Sequence, residues 1–76
     1  MNNKRRDSLR TAVVLMKKAA DIVSKALDEE QDCLDNMPEN LQDSERCQKM
    51  EFAIDKLEDA VSEIENAIDS VEEACE

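Results

Sequence analysis

No glycine occurs anywhere in the chain, and that absence limits its possible folds more than any residue it contains. Glycine takes up positive φ without steric cost, which tight hairpins and phosphate-binding loops require. Strands also draw on more β-branched and aromatic residues than this chain has; it holds one phenylalanine and no tyrosine or tryptophan. An all-helical protein remains. Hydrophobic residues make up 41% of the 76, too many for a disordered acidic tail, yet a mean hydropathy of -0.68 implies a thin core. A chain this small buries little surface alone, so a second copy or a bound partner is expected to complete it.

The one strong interruption is Asn36-Met37-Pro38-Glu39-Asn40-Leu41-Gln42-Asp43-Ser44. Pro38 disfavours helix at Met37, and Asp43 or Ser44 can cap a new helix. The division predicts one domain over 1–76, with a helix over about 4–36, a turn over 37–43 and a helix over about 44–75. The second segment repeats every seven residues from Ala53, Ala60 and Ala67 to Ala74. Its apolar stripe, Cys47, Met50, Ile54, Leu57, Val61, Ile64, Ile68, Val71 and Cys75, advances by alternate steps of three and four. The first segment has the same rhythm in Leu9, Val13, Met16, Ala20, Val23, Leu27, Glu30, Leu34 and Met37. Folding about the turn pairs Leu9 with Val71, Val13 with Ile68, Ala20 with Val61 and Leu34 with Cys47. The predicted fold is an all-α, antiparallel two-helix coiled-coil hairpin that dimerises into a four-helix bundle.

Charge divides along the same line. Residues 1–27 hold seven bases and two acids, residues 28–76 three bases and eighteen acids, for a net charge of -10. Folding back sets the basic half against the acidic half. On one flank of the stripe Arg10 is expected to meet Glu72 and Lys17 to meet Glu65, exposed pairs that select orientation more than they stabilise. The other flank is alanine: Ala12, Ala19 and Ala26 with Leu15 and Ile22 beside them, and Ala53, Ala60, Ala67 and Ala74 on the second helix. This strip is the expected homodimer interface, with a partner protein in the same groove as the rival occupant.

No apolar run reaches 18 residues, so neither a membrane span nor a signal-peptide core is expected, and a cytoplasmic location is expected. Cys33, Cys47 and Cys75 lack CxxC spacing, and no histidine completes a mixed metal site, so they read as free packing thiols. Cys33 and Cys47 fall near one level, where a bridge is geometrically conceivable. Without histidine the Glu-x-x-His pattern of di-iron bundles is missing, and a two-helix hairpin offers no dry pocket, so no enzyme, cofactor or metal centre is expected. The acids from Asp28 to Asp35 lack the glycine and alternating ligands of an EF-hand and read as a solvated face. Glu30 interrupts the stripe, with Arg46 or Lys49 within expected reach. The basic start, Lys4, Arg5 and Arg6, has no interleaved aromatics and adjoins an acidic helix, so direct nucleic-acid binding is not expected.

The suggestive surface is the acidic one: Glu51, Asp55, Glu58, Asp59, Glu63, Asp69 and Glu73. Helical carboxylates three or four residues apart stand about 6 Å from each other, near the roughly 7 Å phosphate repeat of a nucleic-acid strand. Such a rod can solubilise, or it can occupy a basic groove on a protein partner. Phe52, the lone aromatic, either anchors that partner or packs over the dimer edge.

The Asn-Lys-Arg-Arg start, the turn from Asn36 to Arg46 and the acidic heptads together resemble short acidic two-helix proteins of bacteriophages and prophages. The resemblance implies a phage setting. Small acidic phage proteins of that kind include anti-CRISPR inhibitors, which implies a non-enzymatic nucleic-acid mimic that blocks a host or defence protein. A homodimeric assembly coiled coil is the alternative.

Overall fold

The computed structural model describes residues Met1–Glu76 as two long helices joined by a short turn, with no strand. Helix α1 spans Asn3–Asp35 and helix α2 Glu45–Ala74, with a 3-10 turn at Glu39–Leu41 between them. The molecule is a rod of 59 × 14 × 13 Å.

Each helix end is closed by local chemistry that needs no glycine. Asn2 caps α1, its side-chain oxygen accepting the Arg5 N–H at 2.8 Å. At the other end the Asn36 amide donates to the Asp32 carbonyl at 2.8 Å, and the Met37 N–H donates to the Leu34 carbonyl. Pro38, at φ -56°, then turns the chain into the 3-10 segment, where the Leu41 N–H donates to the Pro38 carbonyl. Ser44 starts α2 by accepting the Cys47 N–H at 3.2 Å. No residue in the chain has positive φ.

All eighteen stripe residues named above are buried or half-buried, which is the burial an antiparallel hairpin requires. The core is thin. Only Val13, Ala20, Cys47, Met50, Ile54 and Ile68 are buried, and none is sealed off completely.

The register differs from the expected pairing. Lys17 Nζ lies 3.4 Å from Glu72, and a groove holds Lys17, Ala20 and Asp21 against Glu65, Ile68, Asp69 and Glu72. Further along, Arg10 and Val13 share a groove with Glu72 and Cys75, and Leu34 shares one with Cys47 and Glu51. At the open end these neighbours move the α1 residues about half a heptad along α2, whereas Leu34 keeps its expected neighbour Cys47. The first turns of α1 project past the end of α2, where a hollow is lined by α1 residues alone: Asn2, Lys4, Arg5, Ser8 and Leu9.

Charge pairing is correspondingly sparse. Arg10 pairs with Asp7 on its own helix at 3.1 Å, not with Glu72, and Lys17 takes Glu72 in place of Glu65. Lys49 bonds Glu45 in its own helix, and neither it nor Arg46 reaches the half-buried Glu30. One ion pair crosses between the helices, so the basic half does not neutralise the acidic half. Exposed charges separated by this distance gain little from ordering long side chains, so water keeps them.

Candidate functional site: the acidic face of α2

Glu51, Asp55, Glu58, Asp59, Glu63, Asp69 and Glu73 are all exposed, and none of them takes part in an ion pair. Their heptad positions explain the exposure. With the apolar stripe turned to α1, Glu51, Asp55, Glu58, Asp59, Asp69 and Glu73 project from the outer side of α2, and Glu63 stands at its edge toward the alanine strip. A 30-residue helix holds them on one rigid support.

Phe52 belongs to this face. It is 65% exposed, and Lys56 Nζ sits 5.5 Å from its ring centroid, so the aromatic face carries a cation while its edge stays open to solvent.

Glu51 has a second contact. It accepts a long hydrogen bond from Cys47 Sγ at 3.6 Å, where the thiol is only 2% exposed. Burial raises the Cys47 pKa above its ordinary value, and the negative charge of Glu51, its hydrogen bond and Asp43 push the same way. The thiol is therefore protonated and inert at neutral pH. Cys75 is half-buried, whereas Cys33 is exposed; all three are free. The packing role expected of Cys33 fails because it sits on the alanine flank, outside the stripe.

The acids of the α1 end stay on the surface. Asp28, Glu29, Asp32 and Asp35 are exposed; Gln31 donates to Asp35 at 2.9 Å, and no three Cys, Asp or Glu side chains converge into a metal-ligand set. The hollows of the rod are shallow, open grooves.

On the opposite flank Ala12, Ala53 and Ala60 are half-buried, while Ala19, Ala26, Ala67 and Ala74 are exposed. Leu15 and Ile22 stand beside them at 60% and 70% exposure. The acidic face and this apolar strip lie on different sides of the rod. No helix is long and apolar enough to cross a membrane. No protein-family model, curated protein or solved structure matches the chain.

Proposed function

We propose that the protein is a non-enzymatic binding module whose acidic α2 face occupies a basic surface on a protein partner. The observation that carries this reading is the coincidence of unpaired carboxylates with an exposed aromatic on one rigid helix. A solubilising surface needs charge but no exposed Phe52, since a lone aromatic in water only costs free energy. Partner recognition uses both, an aromatic anchor within a charged rim. The 59 Å rod supports the narrower proposal that the partner handles nucleic acid, with the carboxylate row standing in for phosphates. A phage-encoded inhibitor of a host or defence protein, of the anti-CRISPR kind, is the setting in which such a mimic works.

The test compares two baits in bacterial lysate, the wild type and Glu58→Lys/Asp59→Lys. Both sites are exposed, so helicity should survive in the variant. Proteins retained by the wild type and lost by the variant are the expected result; an identical set on both baits contradicts it.

A second reading, a homodimeric assembly module, is favoured by Leu15 and Ile22, which a finished monomer would not leave so open. The two readings use different sides of the rod.

A further inference from the structure

We infer that the apolar strip is covered by a second copy of this chain in one particular geometry: α1 packs antiparallel on the α1 of the other copy, about a two-fold axis that crosses the helix near Ala19. The inference rests on the homodimer reading and adds its arrangement.

The first observation is the order of residues along the open side of α1. From the amino end the strip reads Arg5, Ser8, Ala12, Leu15, Ala19, Ile22, Ala26, Glu29 and Cys33. All but Ala12 are exposed, and Ala12 is half-buried. A two-fold contact brings a stripe against its own reverse, so a compatible stripe must match itself when read backwards. This one does from Ala12 to Ala26. Centred on Ala19, Leu15 meets Ile22 of the second copy, Ala12 meets Ala26, Ser8 meets Glu29, and Arg5 comes over Cys33, one turn from Glu29 and within reach of it. Small residues at the crossing let the backbones approach, and the two large aliphatic side chains fill the space on either side.

Charge gives an independent reason. The first turns of α1 carry Lys4, Arg5 and Arg6, and its last turns carry Asp28, Glu29, Asp32 and Asp35, with no acid in the first turn and no base in the last. Both ends therefore oppose the helix dipole, which favours acids at the amino end and bases at the carboxyl end. Nothing within the hairpin relieves this. Lys4, Arg5 and Arg6 form no ion pair, and the Arg6 Nε is buried without a hydrogen-bond partner. A second α1 running the opposite way sets each basic end beside an acidic end.

Whole-rod charge disfavours the alternative two-fold, in which turn lies beside turn. Residues 28–52 at the turn end hold nine acids and two bases, whereas the open end, residues 1–14 with 70–76, holds four of each. Turn beside turn would set two strongly negative ends together; the antiparallel arrangement separates them along the rod and gives each a neutral, partly basic neighbour. The acidic face of α2 stays on the outside.

Disulfide trapping tests the geometry in full-length chain carrying Cys33→Ser and Cys75→Ser, with Cys47 left in place because it is buried. Adding Ala19→Cys should yield a covalent dimer on mild oxidation, whereas Asp21→Cys, also exposed but turned away from the strip, should not. Arg5→Glu should weaken the dimer about tenfold, and Arg5→Glu/Glu29→Arg should restore it, since only a pair that meets across the interface can be rescued by exchange. A wild type that sediments as a monomer throughout the micromolar range overturns both the homodimer reading and this geometry. A dimer in which Ala19→Cys fails to couple to itself but couples to Ala67→Cys overturns the geometry alone and leaves the homodimer standing.

Discussion

Cys47 shows how one side chain can be read correctly for burial and still mislead on context. Its place in the apolar stripe predicts a packed thiol, and it is the most buried residue of the core. Its neighbour Glu51 was legible only as part of the acidic row, because a heptad pattern says which face a residue occupies but not which rotamer bridges to the next turn. The contact has a pH consequence. A thiol whose pKa is raised by folding is held protonated in the native state, so the stability it contributes is complete below the ordinary thiol pKa of about 8.5 and declines as pH climbs through the folded value. Thermal melts should therefore lose stability above about pH 8.5, and Cys47→Ala should flatten that decline. Alkylation kinetics at neutral pH provide a second check: Cys33 should react first and Cys47 last, and equal rates would contradict the burial assigned to them.

At the scale of the elements, the helices were legible because their signals are local. Pro38, Ser44 and two apolar stripes, broken only at Glu30, are enough to set both helices, and asparagine or serine closes three of the four helix ends. The Asn2 cap was available as a signal, an asparagine ahead of a long helix, and the 3-10 turn was not, since Glu39-Asn40-Leu41 carries no distinctive pattern. The pairing register was the part that periodicity could not decide. Stripes with steps of three and four match each other in antiparallel registers half a heptad apart, with the same residues buried in both. The ion pair of Lys17 with Glu72 reports which of them the open end adopts. Paired cysteines can read the outcome. Ala20→Cys with Ile64→Cys should close into an intramolecular disulfide, and Ala20→Cys with Val61→Cys should stay open; the reverse would restore the register expected from the pattern. Ser44→Ala should cost about 1 kcal/mol of stability in denaturant melts, the usual effect of removing a serine cap. Ile54→Ala should cost about 2–4 kcal/mol, because Ile54 is among the few buried residues of a thin core.

For the whole molecule, the charge asymmetry of the sequence has a different consequence from the one its totals suggest. Seven bases in the first third and eighteen acids in the rest imply mutual neutralisation on folding, yet a single ion pair, Lys17 with Glu72, joins the helices. Sequence totals do not contain the register, and the register carries the amino-terminal bases past the end of α2 into water. Apart from Glu45 and Glu72, the acids of α2 are thus left unpaired along a rigid rod, with Phe52 exposed among them, while the alanine strip faces another way. These two surfaces are compatible: a dimer closed through the strip would present two acidic faces outward, and a partner with two basic grooves would bind it more tightly than one with a single groove.

The central claim is that those carboxylates act as phosphates do. Its most direct measurement is competition on immobilised wild-type protein: proteins captured from bacterial lysate are challenged with short duplex DNA, and with a neutral polymer as the control. Displacement by the duplex alone, at salt concentrations that leave capture intact, is the predicted result. Capture that resists the duplex at every concentration, or that the Glu58→Lys/Asp59→Lys variant retains in full, would contradict it.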